Sequence, residues 1–246
     1  MLRNETTTKL HEMRLGVMAK AFNEQVNDSQ YNSLSFEDRF GFLVDTEWAS
    51  RKSNLLMRLI KNSTYSIHGA CVENIEYRPD RNLDKSQMLR LSTCTYIQSS
   101  QNIILLGATG AGKSYLACAL GNAANRNFYS VKYIRLPDLL VDIALSRADG
   151  TYREFMKKYK KVKLLILDEW LLYSLNENEA RDLLELVEAR SRISSTIYCS
   201  QFDIPGWHAH LYDATLADAI VDRIIHNAHI VRVEGDSMRK RKGLTE

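Results

Sequence analysis

Near the start of the chain Leu10, Met13, Val17, Ala21 and Phe22 recur at spacings of three and four, so the pattern predicts a helix from Thr8 to about Val26. A second helix is predicted from Ser35, whose hydroxyl caps a free backbone N–H while Asp38, three residues on, sits where the helix dipole favours an anion. Phe36, Phe40, Leu43, Leu55 and Leu59 form its expected buried side. Between Asn62 and Arg90 the periodicity weakens, and His68, Gly69, Pro79 and Asn82 interrupt any long helix, so this stretch reads as a linker leading into a capping segment. Beyond Gln101 short apolar runs alternate with amphipathic helices, which argues for a parallel sheet covered on both faces. The predicted strands are Asn102 to Leu106, Val131 to Arg135, Leu164 to Leu167, Thr196 to Ser200 and His229 to Val233.

The first of these strands runs straight into G-A-T-G-A-G-K-S, comprising Gly107, Ala108, Thr109, Gly110, Ala111, Gly112, Lys113 and Ser114, with a helix predicted from Tyr115 to about Asn125. This is the G-x-x-x-x-G-K-[ST] phosphate-binding loop in its required strand–loop–helix setting. Glycines let the loop wrap so that successive N–H groups face phosphate oxygens, and the helix N-terminus adds partial positive charge. Lys113 is expected to reach the β and γ phosphates of ATP, and Ser114 to ligate Mg²⁺.

A second element completes the site. The buried run L-L-I-L ends in Asp168 and Glu169, a Walker B pattern in which Asp168 holds Mg²⁺ through water and Glu169 polarises the water that attacks the γ phosphate. A metabolite kinase also carries a P-loop, but the adjacent carboxylate pair supplies a hydrolytic base, so hydrolysis is favoured over transfer to a metabolite. Ser200 and Gln201 follow the next apolar strand and are placed to reach the γ phosphate or the attacking water, the alternative being ordinary loop polarity. The run from Leu216 to Ile225 is helical in period and carries Arg223, a candidate arginine finger for a neighbouring subunit. Against that role stands an intrachain pair with Asp222 or another nearby acid.

Charge and composition change this picture only locally. The 33 basic and 30 acidic residues give a formal charge of +3, too mild a balance to prove a nucleic-acid partner. Local basic clusters are the candidates for duplex DNA: Arg51, Lys52, Arg58 and Lys61 at the end of the second helix, and Lys157, Lys158, Lys160, Lys161 and Lys163 before the Walker B strand. For each the alternative is a solvated face. Arg239, Lys240, Arg241 and Lys242 form a basic tail, of which Arg239 is also a candidate nucleotide contact. Cys71, Cys94, Cys118 and Cys199 match no metal or disulfide spacing and read as reduced thiols; His208, His210, His226 and His229 lack acidic or cysteine partners in a metal pattern. With neither a signal-peptide pattern nor a span of about 20 apolar residues, a cytoplasmic location is expected.

The motifs in order are K-L-H-E-M-R-L-G-V-M-A, L-S-F-E-D-R-F-G-F-L-V-D-T-E-W, G-A-T-G-A-G-K-S-Y-L-A-C-A-L-G, R-A-D-G-T-Y, L-L-I-L-D-E-W, T-L-A-D-A-I-V-D-R-I-I-H-N-A-H and G-D-S-M-R-K. Over nearly its whole length the chain therefore resembles the IstB-like transposition helper ATPases, relatives of the DnaC-type helicase loaders among AAA+ proteins. The resemblance implies an α/β fold: a small all-helical, DNA-binding N-terminal domain over 1–65, a linker over 66–100 that starts the ATPase module, and an AAA+ domain over 101–246 with a five-stranded parallel sheet. It further implies assembly of an ATP-bridged homo-oligomer on duplex DNA, and recruitment and stimulation of an IstA-like transposase, which does the cutting and joining. By the same matching Arg223 falls at the arginine finger and Arg239 near the sensor-two arginine. The chain departs from the commoner D-D-W by having Asp168-Glu169-Trp170, and has Leu171 where glycine is frequent. Two other functions share these motifs: a helicase loader preferring single strands, and a nucleotide-gated DNA-binding scaffold with negligible turnover.

Overall fold

The computed structural model describes residues 2–235 and 238, and the chain divides into two units, Met1–Arg58 and Leu59–Glu246. In the first unit the single helix expected from Thr8 is two helices, α1 (Leu2–Glu12) and α2 (Gly16–Asn27). The break is a Schellman turn made without glycine. Arg14 takes the left-handed conformation (φ 60°), its amide donates to the His11 carbonyl, and the Leu15 amide reaches back to Leu10 at 2.8 Å. A cap formed by an arginine leaves no mark on apolar spacing, and Met13, expected on the buried stripe, is 59% exposed.

The next helix, α3 (Phe36–Ser63), starts where predicted: the Ser35 hydroxyl accepts the Asp38 amide at 3.1 Å and donates to the Asp38 carboxylate at 2.8 Å. Its buried side differs from expectation. Leu43 is buried and Leu55 and Leu59 are half-buried, but Phe36 and Phe40 stand exposed, stacked on one another at 6.0 Å. The interior position beside Leu43 goes to Glu47, whose carboxylate accepts the Met18 amide at 2.9 Å and pairs with Arg51 at 2.7 Å.

In the second unit the stretch after α3 is irregular, as the breakers predict, with 3-10 turns at Val72–Asn74 and Pro79–Arg81. It is nonetheless packed: Tyr65, Ala70, Val72, Ile75 and Leu83 are buried. Helix α4 (Lys85–Ser92), capped by Asp84, and the short α5 (Thr95–Gln98) lead into β1 (Asn102–Leu106). There follow α6 (Lys113–Arg126), β2 (Val131–Arg135), α7 (Leu136–Ala148), α8 (Tyr152–Lys161), β3 (Leu164–Asp168), α9 (Glu177–Arg190), β4 (Ser195–Ser200), α10 (Ile204–Trp207), α11 (Ala214–Ile225) and β5 (Ala228–Arg232). The five strands coincide with the predicted ones to within a residue at each end.

All pairings are parallel, in the order β2-β3-β4-β1-β5. A strand covered on both faces needs apolar side chains on both, which is why the central strands β1, β3 and β4 centre on apolar runs, while the edge strands β2 and β5 admit Lys132, Arg135, His229 and Arg232. Alternate residues feed two separate layers. Ile103, Leu105, Ile166, Ile197 and Cys199 pack with Leu116, Leu120 and Met88 of α6 and α4, whereas Ile104, Leu106, Leu165, Leu167 and Tyr198 pack with residues of α7, α8, α9 and α11. The register brings the carboxyl ends of four strands side by side, with Leu106 beside Ser200, Leu167 beside Tyr198, and Arg135 beside Asp168. That edge is where open parallel sheets bind ligands. The four cysteines are free thiols, three of them buried, and no helix among the described residues is long and apolar enough to cross a membrane.

Candidate functional site

The loop Gly107–Gly112 leaves β1 at this edge and enters α6, whose first residue is Lys113 rather than Tyr115. Two glycines are required by the geometry. A Cβ on Gly107 would run into the carbonyl oxygen of Val233, the residue after β5, and Gly112 sits at φ 100° with the Arg81 guanidinium 2.9 Å from where a Cβ would be. Arg81 is buried, and donates to the Glu76 carbonyl at 2.7 Å and to the Ala111 carbonyl of the loop at 3.0 Å. The Lys113 ammonium folds back onto its own loop, bonding the carbonyls of Gly107 (2.7 Å) and Ala108 (2.9 Å). Burial lowers the Lys113 pKa, and Cys199 and Asp168 push it partly back.

Beside the loop opens a cavity of about 480 Å³, lined by Ile67, Asn74, Arg81, Lys113, Ser114 and Tyr115 among others. Its size and mixture of apolar walls with a few polar groups suit a nucleotide. Met238 lies here too, its amide bonded to the Gly110 carbonyl at 2.9 Å, while its neighbour Arg239 and the basic tail lie outside the described residues.

Asp168 ends β3 buried. One oxygen accepts the Tyr133 hydroxyl at 2.6 Å and the other accepts the Glu169 amide at 2.9 Å. Burial first, and then the Asp168 charge, push the Tyr133 phenol far above its ordinary pKa, so it is a hydrogen-bond donor here. Glu169 takes φ 54°, a left-handed turn that a non-glycine residue adopts only when its surroundings impose it, and its carboxylate pairs with Arg135 at 2.6 Å. Tyr133 and Arg135 alternate along β2, so the neighbouring strand holds both carboxylates. Behind them Trp170 is fully buried and packs edge-on against Tyr198 (4.6 Å) and Trp207 (5.6 Å).

The strand β4 lies between β1 and β3, and its end separates the two polar candidates. Ser200 is fully buried, and its hydroxyl accepts the Trp207 indole N–H at 3.0 Å and the Phe202 amide at 3.1 Å. Gln201 is exposed and accepts the Thr109 hydroxyl of the P-loop at 2.8 Å. Gln201, not Ser200, is thus the side chain that meets the phosphate loop.

Arg223 lies on α11 and pairs within the chain, with Glu188 of α9 at 2.8 Å rather than with Asp222, and it also donates to the Ala219 carbonyl. Of the basic candidates, Arg51 is tied to Glu47, Lys52 lies over the Trp48 ring at 5.6 Å, Lys157 pairs with Glu154 and Lys160 with Glu185. Arg58, Lys61, Lys158 and Lys161 are exposed. Among the described residues no group of three or more His, Cys, Asp or Glu side chains is placed to hold a metal by itself. Sequence reading missed Arg81, Tyr133 and Arg135; for the last two, the period-two alternation at the end of a predicted strand was the available signal.

Comparison with known proteins bears on the family and the fold. Residues 8–245 match the family described as IstB-like ATP binding protein. A protein of Sinorhizobium fredii strain NGR234, named as an insertion sequence ATP-binding protein, is 40% identical over 240 residues, covering 98% of each chain. Among solved structures, AMPPCP-bound DnaA from Aquifex aeolicus superposes with a TM-score of 0.58 at 23% identity, over 72% of this chain and 55% of that one. The DnaC helicase loader superposes with a TM-score of 0.56 at 16% identity, over 67% and 97%. These likenesses place the sheet and its helices among AAA+ folds. Together with the full-length family match, they identify the chain as a member of the IstB-like ATP-binding proteins.

Proposed function

We propose that the protein is a magnesium-dependent ATPase that acts as the DNA-handling helper of an insertion-sequence transposase. The observation that carries this reading is the juxtaposition, at one sheet edge, of a phosphate-binding loop with Asp168 and Glu169 at the end of β3 and Gln201 directly after the intervening β4. Backbone N–H groups of the loop and the N-terminus of α6 receive the phosphates, and Lys113 exchanges its loop carbonyls for β- and γ-phosphate oxygens. The donors Ser114 and Asp168 are hard oxygen ligands of the kind Mg²⁺ takes, and the ion, when bound, neutralises charge on the phosphates. Glu169 accepts the proton of a water whose oxygen attacks the γ phosphorus as the bond to the ADP oxygen breaks. For this its pair with Arg135 opens, at a cost of about 0–1 kcal/mol for so exposed an ion pair. Gln201 reports the γ phosphate to the loop through Thr109.

Arg223 gives up Glu188 to reach the ATP of a neighbouring subunit, so nucleotide bridges the homo-oligomer and hydrolysis loosens it. Arg58, Lys61, Lys158 and Lys161, exposed in the structure, are the foremost candidates for duplex phosphates. The names of the relatives, which tie them to insertion sequences, support a transposase as the partner. Fluorescence anisotropy of labelled duplex and single-stranded DNA, with and without Mg-ATP at one salt concentration, tests the reading. Tight ATP-dependent duplex binding is expected, and a single-strand preference would replace it with a helicase loader.

A further inference from the structure

We infer that Tyr133 is a positioning residue for the magnesium site, acting through Asp168; the inference rests on the Mg-ATP reading above. Asp168 has two carboxylate oxygens, and each already holds one hydrogen bond, from the Tyr133 hydroxyl at 2.6 Å and from the Glu169 amide at 2.9 Å. Two donors on different oxygens fix the carboxylate against rotation, while each oxygen retains acceptor capacity for a metal-bound water. The amide bond is local and comes with the turn. The tyrosine bond is imposed from another strand, at 2.6 Å, and it sets which way the carboxylate lies across the sheet edge.

Tyr133 is itself held. It is 7% exposed, packed in the layer shared by Leu116, Ile166 and Cys118, and its β2 register places it opposite Ile166, two residues before Asp168. Its carbonyl accepts the Thr64 hydroxyl at 3.0 Å, and Thr64 occupies the left-handed region at φ 53°, which a β-branched residue takes only when the surrounding structure enforces it. The adjacent Ser63 and Tyr65 hydroxyls both bond the Asn125 side chain of α6, at 3.0 and 2.7 Å. The strap Ser63–Tyr65 therefore joins the helix that follows the P-loop to the strand that orients the metal-holding carboxylate. Partners of this outer kind are worth about 10- to 100-fold in metal affinity in metalloproteins.

The test is binding of the non-hydrolysable ATP analogue AMPPCP, by titration calorimetry, across free Mg²⁺ concentrations and in EDTA. Tyr133→Phe keeps the ring and removes only the hydroxyl. The expected result is an Mg²⁺ half-saturation about 10-fold higher, with AMPPCP affinity in EDTA unchanged within twofold. In an Asp168→Asn background, where the carboxylate is already gone, Tyr133→Phe is expected to add no further shift. Circular dichroism melts establish that each variant is folded, and a purely structural role would lower melting temperature without moving the Mg²⁺ dependence. An unchanged Mg²⁺ half-saturation in folded Tyr133→Phe would overturn the inference, as would an equal shift in the Asn background. Wild-type binding that ignores Mg²⁺ altogether would instead overturn the Mg-ATP reading on which it rests.

Discussion

The two halves of the nucleotide site are built differently. The phosphate-loop motif is eight consecutive residues, six between β1 and α6 and two opening the helix, and on the proposed reading most of its binding groups are backbone N–H, so most of its geometry is local. The carboxylate half is two consecutive residues whose orientation is set elsewhere: Tyr133 and Arg135 on β2 hold Asp168 and Glu169, and Glu169 sits in a left-handed turn that its own side chain does not favour. On the proposed reading the local half serves binding and the half assembled across strands serves chemistry. Substitutions in the first half should therefore change affinity, and those in the second should change turnover or metal dependence at nearly constant affinity.

The sharpest separation is expected from Glu169→Gln, which keeps shape and removes the base. Steady-state phosphate release should fall by about 10²- to 10⁴-fold, the range of a positioned general base, while ATP affinity stays within a few-fold. Comparable losses in both quantities would erase the distinction between the halves. Lys113→Ala should do the reverse. The charge-assisted bonds of its ammonium are worth about 1.5–3 kcal/mol, so ATP affinity should drop about 10- to 100-fold, read as the loss of the ATP-induced rise in melting temperature. Gly112→Ala is a smaller blow to the same half. Its φ of 100° and the Arg81 guanidinium 2.9 Å from the added methyl predict about 1–2 kcal/mol of strain, hence roughly 5- to 30-fold weaker ATP binding. Unimpaired binding by Gly112→Ala would mean that the loop is reshaped by ligand rather than preformed.

The same contrast explains what was legible in the sequence. The sheet was readable because its central strands β1, β3 and β4 are buried almost throughout, so burial demands an apolar run at the centre of each, while the edge strands β2 and β5 still keep short apolar stretches beside Lys132, Arg135, His229 and Arg232. The P-loop was readable because its motif is contiguous. Tyr133 and Arg135 were missed because their partners lie 35 and 34 positions downstream, across a strand pairing that the period-two alternation along β2 does not by itself specify. Arg81 was invisible for the same reason, reaching the loop from a 3-10 turn. In the N-terminal unit, reading by period failed at Arg14, where an arginine makes a Schellman turn, and at Phe36 and Phe40, which the period assigns to a buried side but which lie in water. Amphipathic spacing identifies a stripe; it does not supply a surface to cover it.

At the border between the two halves stand Ser200 and Gln201, adjacent in sequence and equivalent to any pattern search. Ser200 is wholly buried with two donors, Trp207 Nε1 and the Phe202 amide, resting on its oxygen, whereas Gln201 is exposed and bonded to Thr109 of the loop. Removing the Ser200 hydroxyl leaves the Phe202 amide without that acceptor, while the Trp207 indole keeps its second acceptor, the Phe202 carbonyl at 3.1 Å. Ser200→Ala should thus cost about 1–2 kcal/mol, a fall of about 2–8 °C in melting temperature, with little change in preference for ATP over ADP. Gln201→Ala should leave the melting temperature within about a degree and reduce that preference several-fold, the worth of one exposed-to-neutral hydrogen bond of about 1 kcal/mol. Calorimetric affinities for ATP and ADP together with melting curves for the two variants decide the matter. An exchange of the two outcomes would make the buried hydroxyl the group that senses the γ phosphate, and would move the chemistry of β4 from its exposed end into the aromatic cluster behind Glu169.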